Sequence, residues 1–239
     1  MALIKAKRFW TDVTVEKEDG GWAVALDGRR VSTPAKAVLV LPTEKAAQMV
    51  ADEWKAVEDE IDPRHMPATR RANSAVDRVV PQRDSLIAML AGYGGSDLLC
   101  YRADRPVGLQ AIQAEAWDPP LAWAAAVLDA PLTVIQGISP IVQPADSLEN
   151  LCAVLETLDA FALAAVHDLV TISGSLVLGL SVARGAMDVD EAWAASRVDD
   201  VWQIAQWGAD AEAESSAAAK KADFDSAAHT LTALGYPVA

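Results

Sequence analysis

The chain has 239 residues, of which 52% are hydrophobic and 23% charged, as in an ordinary globular protein. These values exclude wholesale disorder, a collagen-like chain and a small disulfide-stapled domain. With 20 basic and 34 acidic residues the formal net charge is −14, which argues against general nucleic-acid binding and against docking on an anionic membrane.

The charge is divided unequally along the chain. Residues 1–110 hold sixteen basic and sixteen acidic residues, whereas residues 111–239 hold four basic against eighteen acidic. Such asymmetry indicates two physically different units, and we expect an α/β domain over residues 1–106 and a mainly helical acidic domain over residues 107–239. The acidic half suits a partner with a basic face, although solubility alone also accounts for it.

The first forty residues predict an antiparallel meander. Alternating apolar positions and turn signals such as Asp27-Gly28 predict strands over residues 9–18, 22–26, 29–33 and 37–41. A helix should begin after Thr43 as its N-cap and bury the apolar stripe Ala46, Val50, Trp54 and Val57. Two further helices are predicted over residues 68–80 and 82–91, followed by a strand over residues 97–103.

The second half reads as helices with little else. A helix over residues 109–130 is expected to break at Pro119-Pro120, where Asp118 would cap a new helix. Short extended pieces are predicted over residues 132–135 and 141–143. One central helix is expected over residues 158–184, because its apolar residues cover the whole circumference. The pattern then predicts helices over residues 188–206, with a buried stripe of Ala194, Val198, Val201 and Ala205, and over residues 211–234.

The sequence contains no motif of catalysis, metal binding or cofactor binding. His65, His167 and His229 are isolated, and Gly92-Tyr93-Gly94-Gly95 lacks the lysine that a phosphate-binding loop needs. We therefore predict no catalytic residue, no metal, no cofactor and no small-molecule substrate. Ser173-Gly174-Ser175 lies in an apolar run and is interpreted as a place where helices approach closely.

Compartment is inferred from the cysteines and from the start of the chain. Cys100 and Cys152 lie in apolar contexts without a CxxC motif, which favours a reducing compartment. The first ten residues show no secretory signal, and no apolar run reaches the roughly 20 residues of a membrane span. We expect a cytoplasmic protein.

Tryptophan is unusually abundant. The chain has eight Trp against three Phe and three Tyr, and Trp serves both cores and interfaces. Trp54 falls on an apolar stripe and is assigned to the core. Trp207 precedes a glycine and then Asp210, Glu212 and Glu214, so boundary packing and partner contact both remain open for it.

Several segments, in order along nearly the whole chain, resemble one known family. They are RFWTDVTVE (8–16), LDGR (26–29), DEW (52–54), MPATRRANSAVDR (66–78), DLLCYRA (97–103), WDPPLAW (117–123), LDAFALAAVHDLVTISGSLVLGL (158–180) and DDVWQIAQWGADAEAE (199–214). On these motifs the chain resembles the ATP-twelve family, the assembly chaperone for the α subunit of the catalytic head of F-type ATP synthase.

The resemblance implies a non-enzymatic role. Members of this family bind the unassembled α subunit and prevent its aggregation until β subunits replace it, without a cofactor and without ATP hydrolysis. The implied fold is α+β, with an N-terminal antiparallel sheet and packed helices followed by an all-helical orthogonal bundle. Since the sequence starts without a targeting pattern, the resemblance points to a bacterial, cytoplasmic member.

The predicted partner contacts are Trp207, Asp210, Glu212 and Glu214, together with Glu53 and Trp54 from the N-terminal half. Two alternatives remain open. One is a small-anion-binding enzyme whose site is formed by Arg70, Arg71, Asn73 and Asp77, with His65 nearby, because arginines beside polar groups hold anions. The other is a general holdase that binds many unfolded clients.

Overall fold

The computed structural model describes residues 7–238. Residues 1–6, part of the start for which no secretory signal is expected, and residue 239 lie outside that range. Within it, an N-terminal antiparallel sheet is followed by a succession of helices, so the predicted α+β class is confirmed.

The N-terminal sheet is the predicted meander, with shorter third and fourth strands. Strand β1 (Val13–Glu18) pairs antiparallel with β2 (Gly21–Leu26), and Val15 lies opposite Val24. Strands β3 (Arg29–Arg30) and β4 (Val40–Leu41) both pair with the other edge of β2. The turn at Asp27-Gly28 has positive φ at both residues, as a tight hairpin requires.

Helix α1 (Glu44–Ala56) covers this sheet. The hydroxyl of its N-cap Thr43 accepts a hydrogen bond from the Ala46 N–H at 3.1 Å, as predicted, and donates one to the Ala233 carbonyl at 2.7 Å. The second bond ties the start of α1 to the end of the chain. The core under the helix is made mainly of small and branched side chains. At its margin Trp54 packs against Trp10, with ring centroids 5.2 Å apart.

Residues 67–95 form an almost continuous helical stretch in place of two separate helices. It comprises α2 (Pro67–Ser74), a π turn (Ala75–Val79), a 3-10 turn (Val80–Gln82) and α3 (Arg83–Gly95). Pro81 has no N–H to give, and the tighter and wider turns beside it let the chain continue. Of the strand predicted over residues 97–103, only β5 (Tyr101–Arg102) forms, after a 3-10 turn at Leu98–Cys100.

Helix α4 (Val107–Val127) runs through Pro119 and Pro120, so the predicted break is wrong. Tertiary contacts hold the helix directly before the prolines. The Trp117 indole N–H donates to the Ala195 carbonyl at 2.8 Å, and Arg102 pairs with Asp118 at 2.8 Å. Asp118 is therefore an ion-pair partner inside the helix and not an N-cap. Strand β6 (Ile135–Gln136) follows and pairs parallel with β5.

The single helix predicted over residues 158–184 is two helices. After α5 (Ala145–Glu156), α6 (Ala160–Ser173) ends where Gly174 adopts φ +75°, and α7 (Leu176–Ala183) begins with Ser175 as N-cap. Ser173-Gly174-Ser175 is thus a turn that ends one helix and caps the next. Periodicity missed the turn because buried apolar residues flank it on both sides.

The helix predicted over residues 188–206 is also divided. Helix α8 (Val189–Ser196) ends at Arg197, and α9 (Val198–Trp207) begins directly after that residue. Helix α10 (Ala211–Leu234) matches its prediction. Of the stripe expected to be buried, Val198 is buried, whereas Ala194, Val201 and Ala205 are exposed.

The buried side chains form three clusters. One lies between the sheet, α1 and α2, a second surrounds α6, and a third lies between α4 and α7. The second cluster belongs to the helical half but takes Ala75, Val79, Ile87 and Leu90 from before residue 107. The domain boundary at 106/107 remains a prediction. Buried side chains from both sides of it pack in the same cluster.

Arg71 joins the two halves. Its side chain is only 3% exposed, and its guanidinium contacts Asp168 of α6 at 2.9 Å, the Thr230 hydroxyl at 2.8 Å and the Ser226 carbonyl at 3.2 Å. Burial raises the pKa of Asp168, but the hydrogen bond from His167 and the charge of Arg71 outweigh it and hold that pKa below its usual range. Asp168 therefore stays ionised beside Arg71.

Removing the carboxylate from this pair should be costly. We expect Asp168→Ala to lower the free energy of unfolding by about 3 kcal/mol, because it leaves a buried guanidinium without its counter-charge. The matched control is Asp223→Ala, which breaks the exposed Arg70–Asp223 pair and should cost less than about 1 kcal/mol. Urea denaturation at pH 7 measures both, and equal losses would contradict the assignment.

Asp97 is an acid completely shielded from solvent, at the junction between α6 and α7. Its carboxylate accepts hydrogen bonds from the N–H groups of Leu99 and Val177, each at 3.1 Å. Burial raises the pKa of Asp97 to about 6, although these bonds and one from Ser175 oppose the shift. The turn after α6 is thus anchored by a carboxyl group whose charged form is destabilised by burial.

The stability of the protein should therefore contain a component that falls as pH rises from about 4 to 6. In that window the folded state holds a proton on Asp97 that the unfolded state has lost, so raising the pH favours unfolding. Relative to Asp97→Asn, the wild type should lose about 2 kcal/mol between pH 4 and pH 7. Urea unfolding of both proteins across this range tests the sign, and a constant difference would contradict it.

Candidate functional site

The end of α9 and the start of α10 project from the body of the protein. Helix α9 is held on α4 by a hydrogen bond from the Gln113 amide to Asp199 at 2.7 Å and by Trp202, which lies over Gly108. A methyl group at Gly108 would come within 3.1 Å of the Trp202 ring, so the ring would have to move by a few tenths of an ångström to admit it. Beyond Trp202, every residue from 203 to 216 is exposed.

One face of this projection is apolar. Val201 is 60% exposed, Ile204 37% and Trp207 79%, and the spacing of three residues places them along one side of α9. Large apolar side chains grouped on an exposed helix mark interaction surfaces more often than single exposed ones do. Trp207 is one of the partner contacts predicted from the sequence. Val201 was instead assigned to a buried stripe, and Ile204 was not singled out.

An acidic rim follows the apolar face directly. Asp210 caps α10, with its carboxylate accepting the Glu212 N–H at 3.2 Å, and Glu212 and Glu214 lie in the first helical turn. None of the three forms an ion pair within the described part of the chain. We call Val201, Ile204, Trp207, Asp210, Glu212 and Glu214 the α9–α10 surface. It combines an aromatic anchor with uncompensated negative charge.

Glu53 and Trp54 lie elsewhere and have partners of their own. The Glu53 carboxylate accepts the N–H groups of Ala68 at 2.7 Å and Thr69 at 2.8 Å, and so caps the start of α2. Trp54 is half-buried against Trp10 in the cluster under the sheet. Glu53 thus stabilises the start of α2 and Trp54 packs in the core beside it, and neither residue belongs to the α9–α10 surface.

The residues of the alternative anion site are not gathered into one site. Arg71 is buried against Asp168, and Asp77 accepts the Ala35 N–H at 3.0 Å. Asn73 has a buried side-chain oxygen, and His65 is exposed on the 3-10 turn Pro63–His65. Arg70 and Arg71 do line a groove of about 630 Å³ between the helical stretch 67–95 and α6, but Asn73, Asp77 and His65 do not.

Two negative findings apply to residues 7–238. No cluster of three or more His, Cys, Asp or Glu side chains there could hold a metal ion. In the same range, none of the helices combines the length and the apolarity that crossing a membrane requires.

Comparison with known proteins gives consistent results. A profile of the family described as ATP12 chaperone protein matches residues 7–125. The mitochondrial protein atp12 of Schizosaccharomyces pombe is 22% identical over 214 residues, which span 84% of this chain and 74% of the yeast protein.

Solved structures are more similar still. The crystal structure of Atp12 from Paracoccus denitrificans superposes with a TM-score of 0.92 at 49% identity, covering 96% of this chain and 98% of the other. An aspartate-to-lysine variant of the same protein gives the same values. A candidate chaperone from Agrobacterium tumefaciens matches with a TM-score of 0.92 at 37% identity, over 95% of this chain and 86% of the other. The chain therefore belongs to the ATP12 family of ATP synthase assembly chaperones, as its sequence motifs predicted.

Proposed function

We propose that the client of this chaperone is the unassembled α subunit of the ATP synthase catalytic head, which it binds in the cytoplasm without catalysing any reaction. The observation that carries the proposal is the α9–α10 surface, where three exposed apolar side chains adjoin three unpaired acids. Membership of the family supports a role in ATP synthase assembly, and the α9–α10 surface is where we expect the client to bind.

The chemistry of the surface suits a holding function. An unassembled subunit exposes apolar surface and strand edges that its neighbour will later cover, and such surfaces aggregate. Trp207 can enter an apolar depression on the client, while Asp210, Glu212 and Glu214 attract a basic region and speed encounter. Since Trp207 is already exposed in the free protein, little has to rearrange on binding.

Release then requires no fuel. If β subunits bind the same region of α more tightly, mass action displaces the chaperone as they become available. Co-expression with tagged chaperone provides the direct test: α should be captured and kept soluble, β should not be captured, and added β should release α. Capture of many unrelated unfolded proteins would instead support a general holdase.

The intramolecular contacts weigh against an anion-binding enzyme built on Arg70, Arg71, Asn73 and Asp77. Three of the four polar groups, those of Arg70, Arg71 and Asp77, already have charged or backbone partners inside the fold, so they are occupied without any ligand. Glu53 and Trp54 are left out of the proposed contact surface for the same reason. The proposal therefore rests on Trp207, Asp210, Glu212 and Glu214.

Charge reversal at the acidic rim should abolish capture of α. Because Asp210 caps α10, the informative variant is Asp210→Asn with Glu212→Lys and Glu214→Lys, since asparagine also caps helices. We expect the affinity for α to fall about a hundredfold or more while the fold is retained. The difference from the wild type should be smaller at high salt, because salt screens exposed charges. Titration of purified α by surface plasmon resonance at two salt concentrations measures this.

A matched control uses two exposed acids of α5, Glu149→Lys and Glu156→Lys. This variant changes the net charge by four units, as much as the two lysines of the rim variant do, but alters no residue of the α9–α10 surface. It should bind α as the wild type does. If both variants lose capture equally, overall charge and not the rim determines binding.

Truncation of the aromatic anchor should separate binding from stability. Trp207→Ala should reduce affinity for α about thirtyfold or more, as expected of an interface hot spot, while its melting temperature stays that of the wild type. The control is Phe9→Ala, another aromatic residue with a largely exposed ring. Unchanged capture by Trp207→Ala would show that the tryptophan serves no interface.

A further inference from the structure

A groove of about 630 Å³ lies between the helical stretch 67–95 and α6, with Asp223 of α10 at its end. This volume falls within the range of sites that enclose a ligand or several side chains. Its floor is apolar, formed by Val79, Leu86 and Ile172 among others. On its rim Arg78, Gln82, Ser85 and Met89 are exposed, so the groove is open to solvent along its length.

The polar groups on the rim have no partners inside the protein. Within the described residues, Ser74, Arg78, Gln82 and Ser85 make no side-chain hydrogen bond and no ion pair. This contrasts with Arg70, Arg71 and Arg83 on the same helical stretch, each of which is bonded within the fold. A row of unbonded polar groups above an apolar floor is the arrangement that a bound segment would complete.

The groove is also a basic region within an acidic molecule. Three arginines line it against two aspartates, in a chain whose net charge is −14. Asp168 and Asp223 are each paired with an arginine, which leaves Arg78 as the uncompensated charge of the lining. Charge complementarity therefore selects an occupant with a carboxylate at the rim and an apolar side chain beneath it.

Helix α10 connects the groove to the α9–α10 surface. Glu212 and Asp223 are eleven residues apart, which is three helical turns, so they lie on the same face at a separation of roughly 17 Å. The two residues between them on that face, Ser216 and Ala219, are small and exposed. One extended client could thus contact both places without crossing a protruding side chain.

We propose that this groove is a second client-binding site, which takes a polypeptide segment of the unassembled subunit carrying an acidic side chain next to an apolar one. The carboxylate pairs with Arg78, and the apolar side chain packs on Leu86, Met89 and Ile172. The inference rests on the proposed function, since the occupant is part of the same client. Two contacts of opposite charge, one at Arg78 in the helical stretch 67–95 and one at the start of α10, would bind the client in a fixed orientation and raise its affinity through avidity.

Site-specific photo-crosslinking tests the occupant. The photoreactive residue p-benzoylphenylalanine is placed at Ser85 on the groove rim, at Ala88 on an exposed face of α3 outside the groove, and at Ile204 on the α9–α10 surface. Irradiation with purified α should give crosslinks from positions 85 and 204 and none from 88. Mass spectrometry of the product at 85 should identify a segment with Asp or Glu within two residues of a large apolar residue.

A charge variant provides the second readout. Arg78→Glu should weaken α binding about tenfold without changing the melting temperature, because Arg78 is exposed and unbonded. The matched control Arg29→Glu, an exposed arginine of β3, should bind as the wild type does.

The outcomes separate this inference from the proposed function. Crosslinks from 204 without crosslinks from 85, or an Arg78→Glu variant that binds normally, would overturn the groove site and leave the α9–α10 surface intact. A crosslink from 85 to a segment without an acidic residue would also overturn it. Absence of any α capture by the wild type would overturn both.

Discussion

The buried guanidinium of Arg71 is the contact on which the arrangement of the two halves depends. It lies on α2, near the N-terminal sheet, and bonds to Asp168 on α6 and to Ser226 and Thr230 on α10. A charge withdrawn from water this far needs a counter-charge and fixed hydrogen bonds, so these three helices meet in one geometry. The bond from Thr43 to the Ala233 carbonyl fixes the far end of α10 in the same way.

The two proposed client sites depend on how α10 is held. From Phe224 onward α10 contributes buried side chains to the core, whereas its first turns are exposed together with the end of α9. Asp223, which precedes the anchored portion and pairs with Arg70, lines the groove, and the first turn of α10 supplies the acidic rim. A helix that is fixed at one end and exposed at the other can present a binding surface at little entropic cost.

Charge has separate tasks in the two halves. The arginines of the helical stretch 67–95 either stabilise the fold, as Arg71 and Arg83 do, or remain unbonded, as Arg78 does. The acids of the C-terminal half are mostly on exposed helix faces and helix starts. An interface that offers one basic and one acidic contact defines the orientation of its client better than a uniform surface of either sign would.

The local features of the fold could be read from the sequence. The Asp27-Gly28 hairpin, the Thr43 cap and the extent of α10 follow from backbone preferences and apolar spacing over a few residues, and all three are present. The predictions failed where tertiary contacts override such preferences. Pro119 and Pro120 are tolerated inside α4 because Trp117 and Asp118 are held by Ala195 and Arg102. The turn at Gly174 is fixed by Asp97, some eighty residues earlier.

The candidate site shows the same division. By itself the sequence determined the α+β class, the acidic second half, the family motifs, and the pairing of Trp207 with the acids after it, since these are properties of composition and of neighbours along the chain. Only the tertiary structure decided that Glu53 caps α2, that Arg71 is buried, that Val201 and Ile204 face solvent, and that Arg78 stands over a groove. The reason is physical: burial and bonding depend on which distant segments meet, and helical spacing gives the face of a residue but not what will cover it.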